Sequence, residues 1–252
     1  KIFFHYAYEP SGVWWEKAKP FLTLNKVRPP SEIFGNRLDH YAHKADVIRL
    51  EIMKEFGGIY LDMDVICINS FKPLLNFECV MGLETENRLC NAVILSIPDS
   101  NFIKVWYEEY KNFNQENWSY HSVELPFSLS TKYSEFINVE KTDSFFYPYY
   151  NDPSSEFLWS DRINFSTKKK IIKEVVNHLL MQKKTRKNKK LNEKNLKVLF
   201  GKNWHYRKLK ESYCIHLWES IWWDRYLFSL SPIAIEENKG NFFKLIKEKV
   251  IT

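Results

Sequence analysis

Four cysteines among 252 residues (Cys67, Cys79, Cys90, Cys214) form no Cys-x-x-Cys pair and stand at no zinc-type spacing from histidine. A disulfide framework and a zinc site are therefore not indicated, and the thiols are expected to be buried. No apolar run approaches the length that crosses a bilayer, and nothing resembles a signal peptide, so the chain as given is expected to be soluble. A Pro/Ser/Gly linker and an internal repeat are both lacking, which points to one domain over 1–252. Glycine is scarce at 7, and with abundant Lys, Asn, Ile and Phe it suggests an AT-rich coding genome. The chain also lacks an initial methionine and enters a strand-like run at Lys1, so a first strand, with any anchor, is expected upstream of residue 1.

Basic charge and aromatic rings are plentiful. The formal net charge is +6, and six of the eight residues at 183–190 are basic. Such a run marks a solvated loop or helix end, or a contact with phosphates or anionic membrane headgroups at the periphery of a bilayer. Aromatic residues make up 17%, which suits stacking on the apolar face of a sugar, although most such rings fill core.

Strand-like runs at 1–8 and 21–27 flank a helical segment at 13–19, and Pro29-Pro30 leads into a loop at 31–37. Residues 38–56 predict an amphipathic helix with Ala45, Ile48, Ile52 and Phe56 on one face, closed by Gly57-Gly58. A strand at 59–61 runs into Asp62-Met63-Asp64 and continues at 65–68. Further strands at 80–83 and 92–95, a helix at 102–113, a basic helix at 166–181 and a short strand at 213–218 follow. Alternation of helix and strand predicts an α/β fold with a mostly parallel central sheet flanked by helices.

Two aspartates one apart in an apolar strand are costly unless their charge is compensated, and a divalent cation, Mn²⁺ or Mg²⁺, compensates it. If the strand continues through them, Asp62 and Asp64 project to the same side and reach one ion. Such an ion bridges the phosphates of a nucleotide-sugar and offsets charge on the leaving diphosphate. A haloacid-dehalogenase-type phosphatase shares D-x-D but needs a threonine where this chain has Ile66. Asp46 and Arg49, three apart, share a helix face; they act together on a ligand or form a surface ion pair.

The stretch from Tyr41 to Leu50, with Asp46 and Arg49, followed by Gly57-Gly-Ile-Tyr60-Leu-Asp62-Met-Asp64, resembles the D-x-D sugar-binding region of retaining glycosyltransferases. These include α-1,4-galactosyl- and α-1,4-N-acetylglucosaminyltransferases, initiating α-1,6-mannosyltransferases and clostridial toxin glucosyltransferases. The resemblance implies a GT-A (Rossmann-like) fold and a catalytic set of Asp46, Arg49, Asp62 and Asp64. Donor contacts follow from Asp46, Arg49, Tyr60, Asp62, Asn91 and Trp218, and metal ligation from Asp64, Asp62 and His216. Trp218 and His216 come from His216-Leu-Trp218, which is similar to a C-terminal H-x-W element. A satisfied core histidine and plain core packing are the alternatives for them. Leu125-Pro126 departs from the Gly-Pro of relatives, and the run at 183–190 matches nothing in them.

The expected activity is transfer of a hexose from a nucleotide-sugar, a UDP-sugar first, to a hydroxyl on a glycan, lipid or protein with retention. Glu84 and Glu124 are acidic residues without an assigned part, and no protein nucleophile is named. The alternative is a catalytically silent transferase-like module that binds glycans or a partner. Nucleic acid is not expected as a partner, since no such motif accompanies the basic residues. The compartment follows the source: cytoplasm for a bacterial or viral chain, Golgi lumen for a eukaryotic one with an upstream anchor.

Overall fold

Residues 1–151, 155–159 and 202–249 are described by the structure, a computed structural model. The helix expected at 166–181 and the basic run at 183–190 lie outside the described residues.

Strands β1 (Phe3–Tyr6) and β2 (Thr23–Lys26) pair in parallel, with α1 (Val13–Ala18) between them in sequence. The expected loop at 31–37 is instead a tight hairpin of β3 (Glu32–Ile33) and β4 (Asn36–Arg37). Phe34 and Gly35 form its two-residue turn, with φ of 49° and 81°, the positive pair that matches strand twist. A phenylalanine in a seat usually held by Asn or Asp hides this turn from a sequence reading.

Helix α2 (Tyr41–Phe56) begins where the His40 ring accepts from the Ala42 N–H and ends at Gly57, φ 62°. A Cβ at Gly57 would lie 2.5 Å from the Pro98 nitrogen, so no larger residue closes the helix this way. The buried face differs from the predicted one. Phe56 is 61% exposed, while His43, Asp46, Val47, Arg49, Leu50 and Met53 are buried. Val47, Leu50 and Met53 pack in one cluster with Ile94, Phe102, Ile103 and Trp106. Each such side chain contributes about 1.5–3 kcal/mol. The charged part of the same face faces a site.

The main sheet runs β5 (Gly58–Leu61), β8 (Arg88–Ser96), β7 (Cys79–Thr85), β9 (Asn138–Glu140). It is mixed rather than mostly parallel: β5 and β7 are antiparallel to β8, and β9 alone joins in parallel, on β7. The cause is local, since only Glu86 and Asn87 separate β7 from β8, and so short a connection makes a hairpin. Pairing of β7 with β8 jumps from Met81↔Ile94 to Gly82↔Cys90, leaving Asn91, Ala92 and Val93 as a bulge on β8. Bulges bend a strand and re-aim its side chains.

The predicted strand through the two aspartates breaks. β5 ends at Leu61, a turn closed by the Val65 N–H on the Asp62 carbonyl (3.1 Å) follows, and β6 (Val65–Cys67) leaves the sheet. β6 pairs antiparallel with β10 (Cys214–His216) instead. Cys67 at its end is exposed, against expectation, while Cys79, Cys90 and Cys214 are buried.

Helices α3 (Asn101–Glu108), α4 (Leu125–Lys132), α5 (Thr142–Phe145), α6 (Glu156–Trp159), α7 (Lys202–Glu211), α8 (Glu219–Trp222), α9 (Pro232–Glu237) and α10 (Asn241–Lys249) complete the described chain. Phe145, Phe146, Leu209, Ile215, Trp222 and Leu245 belong to a second cluster, together with Val80 and Val93 of the sheet. It carries β10 against the D-x-D turn. Among the described residues no helix is long and apolar enough to cross a membrane.

Candidate donor and metal site

Three segments distant in sequence meet at the end of β5. α2 brings Asp46 and Arg49, the β8 bulge brings Asn91, and the turn after β5 brings Asp62 and Asp64. A fourth, β10, brings His216.

The inner tier is a buried cage around Arg49. Its guanidinium donates to the Asn91 carbonyl at 2.7 Å, lies 3.4 Å from both Asp46 and Asp62, and stacks 4.8 Å from the Tyr60 ring centroid. The Asn91 amide donates to Asp46 Oδ1 at 2.8 Å. Side chains of Arg49 and Asp46 are only 7% and 11% exposed, so this is no surface ion pair. Burial pushes the Asp46 carboxyl up, and the Arg49 charge and Asn91 hydrogen bond offset only part of that. For Arg49 burial acts downward, but Tyr60, Asp62 and Asp46 outweigh it and hold the guanidinium charged. Burial foremost keeps the Tyr60 phenol protonated, so it donates to Asp62 Oδ1 at 2.7 Å.

The outer tier is open. Side chains of Asp62 and Asp64 are 28% and 21% exposed. The Asp62 N–H donates to the Ala92 carbonyl at 2.9 Å, tying the turn to the bulge. Asp64 is tied to β10: its carbonyl accepts from the Leu217 N–H (2.8 Å) and its Oδ2 from the Glu219 N–H (2.9 Å). His216 Nε2 stands 3.2 Å from the same oxygen. Burial acts to raise the Asp64 carboxyl, but His216 and the Glu219 N–H prevail and its pKa falls below the usual value. Neither lysine nor arginine pairs with Asp64 among the described ion pairs.

Asp62, Asp64 and His216 offer ligand atoms that all lie within 4.8 Å of one another. Each carboxylate has one oxygen anchored by the contacts above and another outside them. Two carboxylates and an imidazole fit a divalent cation such as Mn²⁺, with Mg²⁺ favouring the oxygens. His216 Nδ1 is buried without a hydrogen-bond partner, so no second group fixes its tautomer.

Trp218, 6% exposed, packs beside His216 at 4.2 Å between ring centroids, and its indole N–H donates to the Pro148 carbonyl at 3.2 Å. Its φ of 51° is left-handed, a strained setting for an aromatic residue. Asn91, 8% exposed, likewise supports the cage from behind. Sequence reasoning missed Tyr149 and Tyr150, whose rings lie 5.4 and 5.1 Å from Trp218, and the Glu219 N–H on Asp64. No spacing rule could have found them, because the tyrosines join the site only through the second cluster and the Glu219 N–H meets Asp64 only once β10 pairs with β6. Glu84 and Glu124 both hold Arg88, at 3.1 and 3.2 Å.

Residues 9–81 match the family described as glycosyltransferase sugar-binding region containing DXD motif. Glucan organizing enzyme 1 of Cryptococcus neoformans var. grubii is 34% identical over 257 residues, 98% of this chain and 58% of that protein. Inositol phosphoceramide mannosyltransferase 3 of Schizosaccharomyces pombe is 34% identical over 64 residues, 24% of this chain and 18% of that one. A mannosyl phosphorylinositol ceramide synthase of Saccharomyces cerevisiae is 31% identical over 75 residues, 30% and 20% of the two chains. This chain thus spans less than two thirds of the curated relatives it matches. No solved structure matches. Over residues 9–81 the chain is thus similar to a DXD-containing glycosyltransferase sugar-binding region, and its mixed α/β build is consistent with a GT-A-like domain.

Proposed function

We propose that this chain transfers a hexose from a nucleotide-sugar to an acceptor hydroxyl, with a divalent cation and with retention at the anomeric carbon. The observation that carries the proposal is the convergence of Asp62, Asp64 and His216 within 4.8 Å, directly outside the Asp46–Arg49–Asn91 cage.

Asp62, Asp64 and His216 would hold the cation. When bound, the ion neutralises the donor's pyrophosphate and the charge that develops as the sugar leaves. The chain's own residues supply position and field. Arg49, its donors turned onto Asn91, Asp46 and Asp62, acts as organiser of two carboxylates more than as an outward clamp. Tyr60 fixes the Asp62 rotamer through its hydroxyl, leaving Asp62 to meet the donor and its metal. Asp46 offers a hydrogen-bond acceptor to sugar hydroxyls at the cage mouth, and Asn91 holds it there. Pre-set dipoles and charges of this kind cost no reorganisation as the reaction proceeds, which is where rate is gained.

The hexose remains the class argued for. Two relatives are named for mannosyl transfer to inositol phosphoceramide, which puts GDP-mannose beside UDP-glucose and UDP-galactose as donors and adds a lipid to the glycan and protein acceptors. The decisive test is calorimetric binding and hydrolysis of these three donors by the full-length protein with Mn²⁺, repeated with Asp64→Asn. Binding that disappears on chelation and in the variant supports the proposal. Absence of binding by any nucleotide-sugar to the intact, metal-supplied protein overturns it.

A further inference from the structure

The short ladder that carries His216 ends on two cysteines. β6 and β10 pair in the register Val65↔His216, Ile66↔Ile215, Cys67↔Cys214. The rungs beyond either end are hydrogen bonded: the Leu217 N–H donates to the Asp64 carbonyl and the Ile68 N–H to the Tyr213 carbonyl, both at 2.8 Å. Antiparallel rungs alternate between bonded and non-bonded, so 66/215 is bonded, and 65/216 and 67/214 are not. Residues across a non-bonded rung stand about 4.5 Å apart at Cα, with side chains on the same face of the ladder. That separation lies inside the window of about 4.4–6.8 Å that disulfides use.

We propose that Cys67 and Cys214 form a cross-strand disulfide that staples the His216 strand to the Asp64 strand. The pair is asymmetric in the way the chemistry needs. Cys67 is exposed, and Cys214 is fully buried with its S–H directed to the Phe145 carbonyl at 3.8 Å. A low-molecular-weight disulfide such as glutathione disulfide is the oxidant. The Cys67 thiolate attacks it, forming a mixed disulfide and releasing one glutathione thiolate. The Cys214 thiolate then attacks the Cys67 sulfur and expels the second. Two protein thiols lose two electrons and two protons; the glutathione disulfide gains both and leaves as two thiols. Burial raises the attacking Cys67 thiol, so the exchange speeds up with pH.

The bond matters because a ladder of so few rungs is marginal on its own. Two residues from the staple His216 faces Asp64, so fraying of β10 would withdraw the imidazole from the D-x-D turn. In an oxidising compartment the pair is a permanent clamp; in a reducing one it stays open.

The test uses the full chain with reduced and oxidised glutathione in turn, followed by alkylation under denaturing conditions and peptide mass analysis. The expected product is lighter by two hydrogens and yields one cross-linked peptide pair containing Cys67 and Cys214. Amide exchange at Ile66 and Ile215 should slow about tenfold on oxidation. Cys67→Ser, at an exposed position that tolerates the change, should abolish both effects. Alkylation of Cys67 and Cys214 in the oxidised sample, a link to Cys79 or Cys90, or unchanged exchange at Ile66 and Ile215 would overturn the proposal.

Discussion

Replacing Arg49 with alanine should destabilise the fold far more than loss of a surface charge does. The guanidinium is 7% exposed, contacts Asp46 and Asp62 at 3.4 Å each, and satisfies the Asn91 carbonyl at 2.7 Å. Its removal strands a buried carboxylate and a buried carbonyl, and breaking a buried pair from one side costs about 3–5 kcal/mol. With a urea dependence of about 2–3 kcal/mol per molar for a chain of this size, the midpoint should fall by about 1–2 M. The paired control is Asp46→Leu together with Arg49→Met, which keeps volume and removes both charges. Its cost should be about 2 kcal/mol or less, because no buried ion is left alone and Asp62 is open enough for water to serve it. Urea denaturation of wild type, Asp46→Leu, Arg49→Met and the double variant closes the cycle, with Arg49→Ala measured beside it. The reasoning fails if Arg49→Ala costs less than about 1 kcal/mol, or if the single effects simply add, since either result means that the two charges do not meet in a dry cage.

Three further outcomes are expected. Asp64→Asn and His216→Ala should each weaken Mn²⁺ binding by tenfold or more, read by calorimetry, while melting temperature stays within a few degrees of wild type. Gly57→Ala should lose about 2 kcal/mol or more in urea denaturation, since it forces φ of 62° on alanine and drives its Cβ to 2.5 Å from the Pro98 nitrogen. Asp46 has a folded-state pKa raised by burial, so the folded chain holds this proton more tightly than the unfolded chain. Its contribution is therefore most favourable below the ordinary value of 3.8 and is lost as pH rises toward the higher folded-state value. The stability difference between wild type and Asp46→Asn, followed by urea denaturation upward from about pH 4, should shift against wild type over that window. A flat difference would contradict a raised Asp46.

The helix before Gly57, its glycine stop and the D-x-D were legible in sequence because each has a local signature, whereas the distant His216 was marked only through resemblance. The inner face of α2 was not legible. Periodicity rules look for apolar residues, and here the inward face carries Asp46 and Arg49, so Ala45, Ile48 and Ile52 stood in for it. The break after Leu61 was hidden by the opposite fault: Val65-Ile66-Cys67 continues an apolar pattern although its pairing partner is β10. The bulge that turns Asn91 toward α2 shows only in the jump from Met81↔Ile94 to Gly82↔Cys90, a matter of register that composition does not encode. Asn91 entered the expected site through resemblance, not through its geometry.

Two tiers with different exposure make different demands. The inner one is saturated by protein contacts, with Arg49 shared among Asn91, Asp46 and Asp62. The outer one is short of positive charge: counting Asp64, three carboxylates face one guanidinium. Two negative charges are left over, and a donor pyrophosphate brings more. Like charges 4 Å apart repel by about 4 kcal/mol per pair at a surface-like dielectric. On the proposed function a donor arriving alone would meet that repulsion at the D-x-D turn, and a divalent cation held by Asp62, Asp64 and His216 would offset it. The tiers should also fail in different ways, with loss of Arg49 read chiefly in stability and loss of Asp64 in ligand binding by a chain that still folds.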